Sequence, residues 1–98
     1  MDLERIVGFE WDAGNARKNE KYDVAQSEAE QVFFDSRLLV VADADHWARE
    51  PRFHALGATI DGRRLHVTFT LRADGTRIRV ISARDMHWKE RQIHDRED

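Results

Sequence analysis

The chain has 98 residues, 41% hydrophobic and 36% charged, which suits one modest core under a heavily solvated surface, so a single domain over residues 1–98 is expected and disorder is not. The absence of Cys removes disulfides and thiolate metal sites, and the absence of an apolar run near the ~20 residues of a membrane span, or of a basic and apolar leader, predicts a cytoplasmic location. The net charge of -3 hides an uneven distribution: residues 1–50 hold 12 Asp/Glu against 6 Lys/Arg, whereas residues 62–91 hold eight basic side chains against Asp74, Asp85 and Glu90, so a surface able to meet phosphate is expected in the second half.

Arg5 to Trp11 reads as a first strand, with Ile6, Val7, Phe9 and Trp11 apolar and Gly8 weakening it. Asp12 is a good N-cap for a mostly polar helix over Ala13 to Tyr22, whose Arg17, Lys18 and Lys21 either contact phosphate or line a solvated face. Ser27-Glu28-Ala29-Glu30 has the capping-box pattern, so a second helix is predicted from there to about Phe34, laying Ala29, Val32 and Phe33 on a sheet. Leu38 to Ala42 is predicted as a strand, and the polar segment Asp43 to Pro51 as a loop.

Three strands follow, separated by Asp61-Gly62 and Asp74-Gly75, the preferred pair for a two-residue type I′ hairpin because both residues need positive φ. With Asp74-Gly75 as the loop, Arg72 faces Arg77, Leu71 faces Ile78, Thr70 faces Arg79 and Phe69 faces Val80. One face then carries Leu65, Val67, Phe69, Leu71, Ile78 and Val80, to be covered by the two N-terminal helices. The other carries Arg64, His66, Thr68, Thr70, Arg72, Arg77 and Arg79. The same logic at Asp61-Gly62 sets Thr59 opposite Arg64 and Leu56 opposite Val67, extends the sheet back to about Arg52 and gives His54 core parity. The last strand runs out near Ser82-Ala83, and Asp85 can cap a helix from Met86 to about His94, with a frayed Asp95-Arg96-Glu97-Asp98 end. The predicted fold is α+β, β-α-α-β-β-β-β-α, with a mainly antiparallel meander, two N-terminal helices on one face and a short C-terminal helix.

Three stretches, FEWDAGNARKNEKY from Phe9, EPRFHALG from Glu50 and IRVISARDMHWKER from Ile78, make the chain resemble the BrnT family of toxins from bacterial type II toxin-antitoxin systems. The resemblance implies a RelE-like fold, ribonuclease activity that stops translation, and a cognate BrnA-like antitoxin whose ribbon-helix-helix domain, rather than the toxin, meets operator DNA in a hetero-oligomeric complex. Carried over by position, the family's recurring polar residues fall on Trp11, Asp12, Asn15, Lys18, Glu50, Arg52, Arg77, Arg79, Ser82, Arg84, Glu90 and Arg91. Three departures stand out: Lys21-Tyr22-Asp23 where Lys-His-Gly is usual, His87-Trp88 in place of a Ser and a basic residue, and His94 where Tyr is common. Either the activity is altered by the absence of that His and Tyr, or their acid or base work passes to His87 and His94, seven residues apart on one helix face, for which a solvated helix is the simpler reading.

RNA cleavage without metal requires the ribose 2′-hydroxyl to lose a proton, the phosphorane charge to be neutralised and the 5′-oxygen to gain a proton. Guanidinium forks suit the second task, which makes Arg77, Arg79 and Arg84 candidates; for the strand alone the simpler reading is an open polar face paired with the acidic half of the chain, and the resemblance reverses that preference. For proton transfer His66, on the Arg-rich face, is preferred, whereas His54 is expected to be a satisfied, half-buried histidine. Glu50 is either a base or the ion-pair partner of Arg52, and both stay in the catalytic set. Lys18, Arg64, Arg72, Lys89 and Arg91 are the expected RNA-binding residues. Five His without Cys, and without an HExxH or a complete Asp-rich loop, support no metal site, and no phosphate loop or nucleophile elbow occurs, so no cofactor is expected. Trp47, Trp88 and Phe53 read as packing or interface anchors rather than base platforms. Different chemistry on the same superfold remains the alternative: a non-catalytic toxin acting on a target such as a topoisomerase, or a co-repressing partner of the antitoxin. In either case a basic face needs an acidic or amphipathic antitoxin segment to cover it.

Overall fold

The computed structural model describes residues 3–43 and 50–96, leaving aside the side chain of Lys18. A 3-10 turn at Leu3–Arg5 precedes β1 (Gly8–Glu10), which is shorter than the predicted strand because Ile6 N–H bonds back to Leu3 O at 3.2 Å. The remaining elements are α1 (Ala13–Glu20), α2 (Gln26–Gln31) with a 3-10 turn at Val32–Phe34, β2 (Leu39–Asp43), β3 (Arg52–Ala58), β4 (Arg64–Arg72), β5 (Arg77–Asp85) and α3 (Trp88–Asp95). The fold is α+β. The five strands form one sheet in the order β1-β5-β4-β3-β2, antiparallel throughout except that β1 runs parallel to β5. Trp47 and most of the predicted 43–51 loop lie outside the described residues, and Asp43 belongs to β2.

Local chemistry sets the helix ends. Asp12 caps α1, accepting from Gly14 N–H at 2.9 Å and Asn15 N–H at 3.3 Å, while Asn15 Oδ1 accepts from Asp12 N–H at 2.7 Å. α1 ends sooner than predicted because Asp23, at φ 55°, turns the chain and Val24 N–H closes on Asn19 O. The cap of α2 is Ala25, not Ser27: Glu28, rather than Glu30, returns to the cap amide at 3.0 Å, and Glu30 instead accepts from Trp11 Nε1 at 2.7 Å. The predicted cap of α3 is displaced likewise. β5 continues to Asp85, which accepts from Arg63 Nε at 2.8 Å, and His87 takes the N-cap position with Glu90 accepting from its N–H at 2.9 Å.

The β4–β5 hairpin has the register the alternation predicts, Phe69 to Val80 through Arg72 to Arg77, and Asp74 and Gly75 have φ of 56° and 84°, with Ala73 joining them at 53°. Farther along, Thr68 pairs with Ser82, so Ile81 is an extra residue on β5, a bulge that reverses the in-out parity of everything after it. Arg84, even-numbered like the core residues Ile78 and Val80, is thereby turned to the outer face opposite His66, while Ala83 goes inward opposite Val67.

The β3–β4 hairpin corrects the prediction by one residue. Only Gly62 has positive φ, 87°; Gly62 N–H bonds to Thr59 O at 2.9 Å and Thr59 N–H to Arg63 O at 2.9 Å, the pattern of a three-residue loop closed by a glycine bulge. Val67 therefore faces Ala55, and Leu56 faces His66. A slip of one residue inverts a whole strand. Phe53, Ala55 and Gly57 turn to the core, and Arg52, His54 and Leu56 turn outward.

The core lies on one side of the sheet, where Val24, Ala29 and Val32 meet Leu65, Val67, Phe69, Ile78, Val80 and Ala83. Phe69 is its hub, 5.0 Å from Phe33 edge-on and 5.5 Å from Phe53 stacked. Gly57 lets the Val32–Phe34 turn approach: a Cβ there would lie 2.8 Å from both Cγ1 and the carbonyl oxygen of Val32. Gly57→Ala is expected to cost about 1–3 kcal/mol, read as a lower urea midpoint with unchanged slope; an unchanged midpoint would mean that the turn does not hold this close approach.

Candidate functional site

The outer face is built by alternation on the three central strands. β5 contributes Arg77, Arg79, Ser82 and, after the bulge, Arg84; β4 contributes Arg64, His66, Thr68, Thr70 and Arg72; β3 contributes Arg52 and His54. His66 pairs with Arg84 across β4–β5, and its ring stacks on that of His54, centroids 4.9 Å apart and planes 26° from parallel. His54 is fixed at both nitrogens: Nε2 is 2.9 Å from Asp43 Oδ2 and Nδ1 is 3.1 Å from Thr68 Oγ1. Arg84 presents its fork to Glu90, Nη1 to Oε1 at 2.9 Å and Nη2 to Oε2 at 3.1 Å.

Burial and then the neighbouring Arg84 charge hold the His66 imidazole down at about 4, with Glu90 opposing them. At neutral pH the ring is uncharged and carries a free lone pair. Burial of the Glu90 carboxyl is outweighed by Arg84 and the His87 amide, which bring it to about 2, so it stays ionised. The centre is thus a neutral imidazole beside a guanidinium, on an open face.

The other candidates spread along the sheet. Arg79 is held by Asp12 and Glu10, with Nη1 2.9 Å from Asp12 Oδ2 and 3.0 Å from Glu10 Oε1, and Arg79 brings Asp12 to about 2. Arg77 donates to Phe9 O at 2.8 Å. Glu50 pairs with Arg72 at 2.7 Å rather than with Arg52, which lies opposite Asp43. Arg64 meets Asp95 at 2.9 Å, Lys89 lies 5.7 Å from the Trp88 ring centroid, and Arg91 is exposed on α3. Arg79 pairs with Thr70, four residues along β4 from His66, or about 13 Å at strand rise. Arg79 and Arg84 thus sit at separate places along the face, which a short single strand spans. The Arg79 and Arg72 pairs join the basic face to the acidic half of the chain, and the exposed Arg72–Glu50 pair is weak enough for phosphate to compete with it.

His87 and His94 do not share a face. His87 is an exposed cap residue, whereas His94 is fully buried with Nε2 2.8 Å from Asp35 Oδ2. Parity under the wrong loop type hid His54 and Asp43 from the sequence reading. One signal was available: Arg52 and His54 flank Phe53, so only the register that turns Phe53 inward keeps both polar neighbours out of the core. Among the described residues no group of three His, Asp or Glu could hold a metal ion, and no helix is long and apolar enough to cross a membrane.

Compared with known proteins, residues 11–90 match the model of a family described as ribonuclease toxin, BrnT, of type II toxin-antitoxin system. No curated protein matches the chain.

Proposed function

Because the chain belongs to the BrnT family of ribonuclease toxins of type II toxin-antitoxin systems, we propose that it is a RelE-like, single-domain endoribonuclease that cuts RNA without a metal and thereby halts translation in the cytoplasm. The observation that carries this reading is the neutral His66 imidazole beside Arg84 on the outer sheet face. His66 takes the 2′-hydroxyl proton, the 2′-oxygen attacks phosphorus, and Arg84 donates to the non-bridging oxygens as charge builds on the phosphorane. The 5′-oxygen leaves and takes its proton from water on the open face, which gives a 2′,3′-cyclic phosphate and a 5′-hydroxyl. Arg79, Arg77 and Arg72 exchange their protein partners for backbone phosphates along the strand, Arg72 by leaving Glu50, while Arg52, Arg64, Lys89 and Arg91 extend the contact.

Family membership implies an antitoxin partner. The partner proposed is BrnA-like, with a ribbon-helix-helix domain that alone meets operator DNA and an acidic or amphipathic segment that covers this face.

The test is incubation of the purified chain with single-stranded RNA in excess chelator. Cyclic-phosphate ends are expected, with a rate that rises as pH passes about 4, where His66 loses its proton. His66→Ala is expected to lower the rate by about 10²–10⁴-fold, and an RNA bearing 2′-deoxyribose at the cut site to stay whole. Intact RNA alongside growth arrest with DNA-damage signalling would replace this reading with poisoning of a topoisomerase.

A further inference from the structure

The His54 side chain has no role in the chemistry above, yet both of its ring nitrogens are held. Its direct partner in register is Thr68, so it is the diagonal neighbour of His66, and the two rings close to 4.9 Å. Asp43 at the end of β2 and Thr68 on β4 take its two nitrogens, which fixes both rotation about the ring bond and the plane of the imidazole. His66 is anchored differently. Among the described residues neither of its ring nitrogens has a hydrogen-bond partner, and the His54 ring packs against one face of the imidazole. A base needs this: an unbonded imidazole points its lone pair wherever its χ angles drift, and a misplacement of about 1 Å can cost 10²-fold in rate.

We propose that His54, clamped by Asp43 and Thr68, is a positioning residue for His66, a fixed platform on which the His66 ring is stacked and aimed for proton transfer. The inference rests on the reading of His66 as the base. Charge couples the two rings as well. His66 is faced by Arg84 from β5, Glu90 from α3, His87 from the cap of α3 and His54 from β3, and a proton on His54 disfavours one on His66. The clamp therefore acts on both the direction and the basicity of the neighbouring ring.

The experiment uses the full chain with His54→Ala, His54→Phe and His66→Ala, measured by single-turnover RNA cleavage across pH and by NMR titration of the His66 ring. His54→Ala is expected to lower kcat by about 100-fold with KM within about twofold, since the phosphate-binding arginines are untouched. His54→Phe keeps a flat ring in the stack but loses both clamping bonds, so it is expected to recover only part of kcat. It should also move the His66 midpoint, and the acid limb of the rate profile, above the native value of about 4, because the interaction with His54 that lowers the His66 pKa is gone. A wild-type kcat and an unmoved His66 midpoint in both His54 variants would overturn the platform and leave the base role standing. Full activity of His66→Ala would remove the base role and the platform with it. Should His54→Ala fail to fold, His54→Phe decides, since it retains the ring volume.

Discussion

Arg84→Ala is expected to slow RNA cleavage by about 10²–10³-fold, the loss that follows removal of one preorganised donor from a developing oxyanion. Of the arginines on the outer face, Arg84 is the one paired with His66, so one phosphate can meet both the base and the guanidinium. Its two terminal nitrogens point in parallel at Glu90, the geometry a phosphate also accepts. Two further variants separate chemistry from packing. Arg84→Lys keeps the charge but loses the fork, so its rate should stay well below wild type. Glu90→Ala breaks the same ion pair from the other side and leaves the guanidinium in place, so cleavage should persist and RNA should bind more tightly. Equal inactivity of Glu90→Ala and Arg84→Ala, with both chains folded, would assign Arg84 to holding α3 instead of to phosphate.

Asp35→Ala should destabilise the chain by about 3 kcal/mol, the loss expected when a half-buried carboxylate is removed and leaves several donors, one of them on the buried His94, without an acceptor. Asp35 Oδ1 accepts from Arg37 N–H at 3.0 Å, and Oδ2 accepts from Ala58 N–H at 2.8 Å and lies 2.8 Å from His94 Nε2. One side chain therefore ties the start of β2, the end of β3 and the inner side of α3. His94 is fully buried and its Nδ1 has no partner among the described residues, so Asp35 supplies its polar anchorage. In thermal unfolding the deficit corresponds to a fall in Tm on the order of 15 °C. Asp35→Asn, which retains an acceptor oxygen, should lie between wild type and Asp35→Ala.

The effect has a defined pH dependence. Burial raises the Asp35 pKa, but the Arg37 and Ala58 amides and His94 outweigh it and the net shift is downward. A carboxyl held below its unfolded value, about 3.9, contributes stability that is fully present above that value and disappears as pH falls through the folded pKa. The gap between wild type and Asp35→Ala should thus be constant near neutrality and close in acid. Asp12, Glu28, Asp85 and Glu90 are lowered as well, so the wild-type chain itself loses stability in the same window. A gap that stays unchanged in acid would mean that the Asp35 carboxylate does not carry the linkage. Because α3 brings Glu90 onto Arg84, the same variant should also loosen that pair and raise RNA affinity per folded molecule.

Much of the fold was legible because it depends on short-range chemistry. Asp12 before a polar helix, Asp74-Gly75 between alternating runs and the apolar parity of Leu65 to Val80 each state a local preference that the folded chain obeys. The site was less legible. Its chemical elements, arginines and a histidine on one face, could be listed from alternation, but their neighbours could not. Asp61-Gly62 belongs to two loop types that differ by one residue, and that difference moved His54 from the core side to the side of His66. The extra Ile81 on β5 carries no sequence mark, yet it turns Arg84 outward.

What the sequence by itself determined is the α+β character, the order of the elements, the β4–β5 register from Phe69–Val80 to the turn and the outward side of Arg64, His66, Arg72, Arg77 and Arg79, since periodicity and turn chemistry act within a few residues. Only the tertiary structure decided which charges meet: Arg79 with Glu10 and Asp12, Arg72 with Glu50, Arg84 with Glu90, and His94 with Asp35. The physical reason is that an ion pair or a ring stack forms between strands and helices distant in the chain. A single loop residue or bulge there changes the partner without changing any local propensity.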